Sequence, residues 1–375
     1  MEKPNGLTVD ATPLVCGMKI IDWYIIKKFL GTFVYAISLL IIIVIIFDVS
    51  ENIEDFLKNK APLQAIIFDY YLNFIPYFIN LFVYLFTFIS VIFFTSKMAG
   101  NTEIIAILSS GVSFRRMMRP YLMASVLLAL ISAYLGNFLI PRTNELRRDF
   151  KGKYMEQLTK DRKRNIHLQI EKGVFVYVEN YNSSQHTGYR FTLEKYDDQN
   201  LVYKLSSDRI ERDTADSLWH IVTYAERWIK GEKEILKKGA RKDTLLPLKT
   251  TDLYEIKEDF EVMNFWELKH HIAQERLKGN DQVTLYQVEM NKRIASPGAI
   301  LILTFIGASL SSRKVRGGIG MHLGAGIALA FSYILFMQVS TVFATFGNLK
   351  PWIAAWIPNI LFFIIGIYLY IKAPK

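Results

Sequence analysis

Six apolar stretches of about 20 residues, three on each side of a polar insert of roughly 150, constrain this chain more than any other feature of its sequence. A hydrocarbon core is about 30 Å thick and a helix rises about 1.5 Å per residue, so a run of that length is a membrane crossing. The runs at 25–47, 66–94, 118–140, 294–310, 322–346 and 352–371 all qualify, although the fourth carries Pro297 and Gly298 near its start. Membrane helices tolerate both residues when neighbours take up the freed backbone groups. An insert that long cannot be a simple loop. It reads as a folded domain on one side of a bilayer, and function has to be sought in how that domain works with the spans.

Orientation follows from the basic residues near the span ends, which concentrate on the cytoplasmic side. Lys19, Lys27 and Lys28 lie before or at the start of the first span, and Lys97, Arg115, Arg116 and Arg119 lie between the second and third or at the start of the third. Arg313, Lys314 and Arg316 lie between the fourth and fifth, and Lys372 and Lys375 close the chain. All fall on one side, so both termini are expected inside and the domain at 141–292 outside. The connections at 48–65 and 347–351 carry little positive charge. This bias accounts for much of the net charge of +10, which therefore requires no nucleic acid. The single cysteine, Cys16, excludes an intramolecular disulfide, so the external domain must be held by its own core. The first span is too long for a removed signal peptide and lacks a small-residue cleavage site, so it reads as an anchor. Residues 1–18 read as a disordered leader, with Met18 a candidate natural start.

Within the insert the hydrophobic period switches to two. The segments 173–179, 189–196, 201–206 and 219–228 alternate apolar with polar residues or run β-branched and aromatic, with Gly, Asn and Asp between them. That pattern predicts an antiparallel β domain, a sandwich or jelly roll. Its tail at 265–277 returns to a helical period through Phe265, Leu268, Ile272 and Leu277. The expected division is then 1–18 leader, 19–140 the first three spans, 141–292 the β domain and 293–375 the last three spans.

Catalytic patterns are missing. No G-x-x-x-x-G-K-[ST] loop cradles phosphate, so no ATP hydrolysis is expected of this chain. No H-E-x-x-H occurs, and the adjacent His270 and His271 point to different helix faces where a metal site needs convergence. His167, His186, His220 and His322 are scattered, and Ser109, Ser110 and Gly111 lack the frame of a nucleophile elbow. An enzyme is not expected, and neither metal nor cofactor is called for.

Three features carry more. The segment 101–112 reads as a short cytoplasmic amphipathic helix: Asn101 as N-cap, Glu103 in the first turn where the helix dipole favours an anion, Ile104, Ile105 and Leu108 on one apolar face, and Gly111 as the stop. Arg115 follows it. Such a helix either rests on lipid or docks into a groove of a cytoplasmic ATPase, Glu103 then facing a basic partner. The second feature is a basic run beyond the third span: Arg142, Arg147, Arg148, Lys151, Lys153, Lys160, Arg162, Lys163 and Arg164. Charge runs are usually solvated, but positive charge at the outer end of a span opposes the inside bias, and such a cluster can hold phosphate groups. The third is the glycine-rich start of span five, where Gly320 and Gly324 form a G-x-x-x-G that permits close helix approach, as a packing surface or gate.

Taken together, four features resemble the LptF/LptG permease family of the lipopolysaccharide exporter: the three-plus-three layout, TEIIAILSSGVSFRR at 102–116 with Arg119 and Pro120, YQVEMNKRIASP at 286–297, and WIPN at 356–359. The resemblance runs from about Met18 to the end. It implies a permease that pairs with a second LptF/LptG-type permease and an LptB-like cytoplasmic ATPase dimer, which uses the ATP. Lipopolysaccharide would be drawn from the membrane and passed to LptC/LptA-like periplasmic bridge proteins. It also implies an inner-membrane location, a periplasmic jelly-roll-like domain, and ATPase coupling through Glu103 and its helix (Ile104, Leu108, Gly111, Arg115). Lipid-phosphate contacts are implied at Arg148 and Lys151, with Arg147 beside them.

Of the two permeases, LptG is the closer likeness, through the 347–351 loop and the glycines of span five. One departure stands out. Where LptG-like proteins can carry a lipid-contacting lysine at the outer end of span one, this chain has Asp48, followed by Glu51, Glu54 and Asp55. The main rival is a membrane-anchored receptor with an external β domain, which normally needs few spans and a cytoplasmic output module. A lipid-modifying enzyme would need a catalytic constellation.

Overall fold

The computed structural model describes residues 19–155, 164–182, 185–212, 218–231, 233–248, 250–253, 259–279, 282–313 and 318–373. The leader with Cys16 and Met18, the basic residues Lys160, Arg162 and Lys163, and Lys314, Arg316, Gly317 and Lys375 lie outside the described residues. All six expected crossings are helices: α1 (Ile20–Lys58), α2 (Leu63–Gly100), α4 (Phe114–Tyr154), α6 (Val283–Ser311), α7 (Gly318–Phe346) and α8 (Pro351–Ile371). Between them lie α3 (Glu103–Ser109) and α5 (Phe265–Lys278).

Helices α1, α2 and α4 run 39, 38 and 41 residues, roughly 60 Å at 1.5 Å per residue and about twice a hydrocarbon core. The stretch after Asp48, which reads as a loop, is therefore helical to Lys58. Each long helix except α1 contains a wider π turn, at Ile66–Tyr71 and Leu135–Leu139. A π turn leaves carbonyls short of donors, and Asn73 Nδ2 supplies the first, bonding the carbonyls of Phe68 (3.0 Å) and Asp69 (2.9 Å).

The chain forms two compact units, one from 1–48, 77–136 and 292–375, the other from 49–76 and 137–291. In the first, Phe29, Phe33 and Ile37 of α1, Phe94 and Met98 of α2, and Met117, Tyr121 and Leu128 of α4 share a buried cluster. A second cluster joins Phe88 and Ile92 of α2, Leu303 of α6, Tyr333 of α7 and Phe362 of α8. The glycines that permit close approach here are not those of the G-x-x-x-G. A Cβ on Gly320 or Gly324 would meet nothing within 4 Å, whereas one on Gly307 would lie 3.1 Å from Phe88 and one on Gly326 would overlap Ile92. Packing within the subunit thus uses Gly307 and Gly326, because these face α2 and the motif glycines do not.

The second unit contains β1 (Arg164–Glu171), β2 (Val174–Asn182), β3 (Thr187–Asp197), β4 (Asn200–Arg212), β5 (Trp219–Lys230) and β6 (Lys233–Thr244). Every strand pairs antiparallel with its sequence neighbour, in the order β1-β2-β3-β4-β5-β6. The inserted antiparallel β domain is present, but among the described residues it is one sequential meander and not two sheets joined by Greek-key crossings. Short connections in sequence explain this, since each strand is followed within a few residues by the one that pairs with it. Its core is one face of that sheet, built on Val176, Val178, Phe191, Leu193, Leu205, Trp219 and Ile221.

Two strands escape the sequence pattern for different reasons. In β1 the alternation of Ile166 and Leu168 is obscured by the basic run that ends on Arg164. In β6 nearly every side chain is exposed and five are Lys or Arg, which suits a sheet edge where charge discourages strand addition. The edges are β1 and β6, so the segments around Val176 and Leu193 are interior strands.

Beside the sheet, α5 opens on a reciprocal cap: Asn264 Oδ1 accepts from the backbone of Trp266 and Glu267 (both 3.0 Å), while the Glu267 carboxylate accepts from Asn264 N (2.8 Å). Leu268 and Ile272 are buried as their spacing implies, but Leu277 is 76% exposed. Glu275 is buried in its place, with Lys278 Nζ 2.8 Å away.

The β1–β2 hairpin turns on Gly173 at φ +77°, whose carbonyl accepts from Tyr196 N at 2.8 Å. A Cβ there would sit 2.7 Å from the Tyr196 carbonyl oxygen. Gly173→Ala is therefore expected to cost about 1–3 kcal/mol, through both the left-handed backbone and the clash. Limited proteolysis of the full-length protein in detergent, reading cleavage inside 164–244, measures it.

Candidate functional site

The short helix α3 is only seven residues long, and its start differs from the simple capping pattern. Thr102 occupies the cap position at φ +63° with no side-chain bond to the helix. Asn101, expected as the cap, instead donates from Nδ2 to Glu103 Oε1 at 3.3 Å. The end conforms: Gly111 at φ +87° donates its N–H to the Leu108 carbonyl at 3.1 Å. Ile104 is fully buried, and Ile107 and Leu108 pack on the same core. Ile105 is 53% exposed, so the apolar face is 104, 107 and 108, the i, i+3, i+4 set, and Ile105 looks outward.

Glu103 is engaged within the chain. Tyr24 Oη donates to Oε2 at 2.7 Å, and Lys28 Nζ lies 3.2 Å from Oε2 and 3.4 Å from Oε1. Tyr24 and Lys28 are one turn apart on α1, with the ammonium 4.4 Å from the Tyr24 ring centroid. Burial pushes the Glu103 carboxyl up, but the bonds from Tyr24, Lys28 and Asn101 outweigh it and hold the pKa below its ordinary value. A second link lies beside the first. Arg116 spans both oxygens of Asp22 at 2.7 and 2.5 Å, and Ser113 caps α4 by accepting from Arg116 N at 3.3 Å. Asp22 and Tyr24 were not singled out from sequence, and Lys28 was read only as part of the basic bias, because nothing in a linear pattern places the start of span one against residues about 75 to 94 positions away. Arg115 is exposed.

Arg147, Arg148 and Lys151 do converge, on the polar extension of α4. They line a cleft of about 10 Å³ with Asn144, Glu261 and Val262, room for about one water. Arg147 is buried, 4.0 Å from the Glu261 carboxylate and over the Phe74 ring. Asn144 Nδ2 bonds the Glu261 carbonyl at 3.3 Å. Around this stretch Phe56, Tyr70, Phe150 and Tyr154 stack edge and face at 5.0 to 6.0 Å, fixing the ends of α1, α2 and α4 to one another. A phosphate would have to sit at the mouth of the cleft, where Arg148 and Lys151 are half-buried.

Sequence reasoning missed a groove on the core face of the sheet. It encloses about 670 Å³ between Val174, Leu193, Tyr203, Leu205, Trp228 and Leu246, with Lys195 and Lys242 also on its wall. That volume is typical of small-molecule sites, and its lining mixes apolar side chains with Glu171, Lys195, Lys242 and Thr244. The alternating strands were the available signal, but a period of two does not say how strongly a sheet curls around its inner face. Behind the wall residues Tyr203 and Lys242, Glu226 is 2% exposed, accepting from Tyr203 Oη at 2.8 Å and from Lys242 Nζ.

Comparison with known proteins finds one family model, described as lipopolysaccharide export system permease LptF/LptG, matching residues 23–372. No curated protein matches the chain.

Charge at the sheet gives the unit a defined acid sensitivity. Burial pushes the Glu226 carboxyl up, but the Lys242 and Tyr203 bonds outweigh it and hold the pKa below the ordinary 4.5. The Lys204 bond lowers Glu194, and bonds from His220 and Arg241 hold Asp243 below 3.8. A carboxylate with a lowered folded pKa contributes stability that is complete above its unfolded value and lost as pH falls through the folded one. Protease resistance of the β domain in the full-length protein should therefore hold from about pH 7 to about pH 5 and fall once pH drops below about 4.5. Glu226→Gln should flatten that profile.

Proposed function

The chain belongs to the LptF/LptG family of lipopolysaccharide export permeases, and we propose that it is the membrane subunit of an ATP-driven exporter. In this reading it pairs with a second permease of the family and draws lipopolysaccharide from the inner membrane. The lipid then passes by way of the β domain to LptC/LptA-like bridge proteins in the periplasm. An LptB-like cytoplasmic ATPase dimer uses the ATP, and this chain holds no cofactor of its own. The basic bias of the span ends supports cytoplasmic termini and an external β domain. The loop at 347–351 and the glycines of span five support LptG over LptF, and Gly320 and Gly324, open on this subunit, suit contact with the partner permease.

The observation that carries the proposal is the seating of α3. Ile104 is buried in the cluster that contains α1, α2 and α4, while Glu103 and Ile105 lie toward the surface, so force on this helix reaches three spans directly. A helix that merely rested on lipid would need no such anchor. The groove supports the cargo, because acyl chains require an apolar shelter outside the bilayer.

Glu103→Lys places a cation against Lys28 and removes the carboxylate offered to the ATPase. Co-purification of the ATPase is expected to fall roughly tenfold or more with insertion preserved, and export to stop. Normal retention with normal export excludes the coupling role. Replacing Arg148 and Lys151 together by Glu is expected to reduce lipid photo-crosslinking several-fold while changing stability by less than about 1 kcal/mol. Unchanged crosslinking would leave them as a solvated helix end.

A further inference from the structure

Two polar links tie the inner end of α1 to the segment after α2, and they differ in kind. Asp22 with Arg116 is a two-pronged fork whose acid is 6% exposed, with Lys19 N adding a third bond at 2.9 Å. Lys28 with Glu103 is a single ammonium at 3.2 Å, its partners 34% and 28% exposed. A planar fork with a buried acid is rigid and specific, whereas a partly exposed single ammonium pair contributes less and exchanges more readily. The first link fixes α1 in place. The second is the one that can open.

Glu103 is open enough for an incoming cation, but its carboxylate is already occupied. Tyr24, Lys28 and Asn101 take three of its roughly four acceptor directions. A second cation there would also lie close to the Lys28 ammonium, where like charges repel. Docking and the internal pair therefore compete for the same oxygens.

We infer that Lys28, assisted by Tyr24, is the internal counter-ion of Glu103 that a docking partner's cation displaces, so that docking on α3 releases Glu103 from Lys28 while the Asp22–Arg116 link keeps the inner end of span one in place. This rests on the reading of α3 as the ATPase-docking helix. By reciprocity, whatever weakens the internal pair strengthens docking. That sign separates competition from simple support of the helix, which would weaken docking when lost.

The test uses the full permease complex in lipid nanodiscs with its purified ATPase. Lys28→Met is expected to tighten ATPase binding about threefold to fivefold, with Tyr24→Phe adding to it and Lys28→Arg restoring wild-type affinity. A second measurement needs no variant. Carbodiimide activates a carboxylate for attack by an amine in contact with it, so mass spectrometry should find a Lys28–Glu103 amide without ATPase and little of it once ATPase is bound. A crosslink equally strong with ATPase bound, or absent in both states, overturns the proposal, as does weakened binding in well-inserted Lys28→Met. Glu103→Gln that binds ATPase like wild type would instead overturn the docking reading itself.

Discussion

Hydrocarbon offers no hydrogen bonds, and most of this molecule follows from that. A backbone group left unpaired in the core of a bilayer costs several kcal/mol, so an apolar run must be helical whatever its intrinsic preference. The Ile-rich stretch of α1 is a poor helix former in water and is helical from Ile20 to Lys58. Two polar side chains inside the spans, Asn359 and Ser340, follow the same rule, although Thr87, Ser90 and Thr304 are buried without a side-chain hydrogen bond. Asn359 is 1% exposed, donates to the Ala295 carbonyl and accepts from Tyr333 Oη, both at 2.9 Å, and so joins α6, α7 and α8 through one buried amide. Ser340 does the same on a smaller scale with the Ala354 carbonyl.

Where the helices leave the apolar runs the bonding problem changes. Charged groups can be solvated there, and the ones that matter are those the fold partly withdraws from water. Glu103 is of this kind, whereas Asp22 and Arg147 are buried; each of the three is held by a partner distant in sequence. A partly withdrawn charge is held in one geometry but can still be reached, which is what the proposed docking at Glu103 requires. A fully exposed charge would carry no position, and a fully buried one could not exchange.

The β domain solves a separate problem, that of presenting an apolar surface in water without aggregating. Its sheet turns one face inward around the groove and closes its long outer edge with the lysines of β6. Glu226 is buried behind that wall only because Tyr203 and Lys242, which line the groove, pair with it.

The sequence alone determined the crossings, the inserted β domain and the short helix at 101–112. These rest on periodicity and length, which are local properties, and the family match spans the same residues, 23–372. Local reasoning also found Gly111 and the grouping of Arg147, Arg148 and Lys151 on one helix. It misplaced the cap at Asn101 and turned Ile105 inward, and it did not find Gly307 and Gly326, the glycines that meet α2, because each depends on what lies opposite. The ends of α1 and α4 were taken for loop and domain, since polar residues extend a helix without any apolar signal. Only tertiary structure could bring Tyr24, Lys28 and Asp22 to Glu103 and Arg116, or curl six strands around a groove. Helix and strand are decided by bonds between near neighbours, but which charges meet is decided by how whole elements pack, and that information is spread over the entire chain.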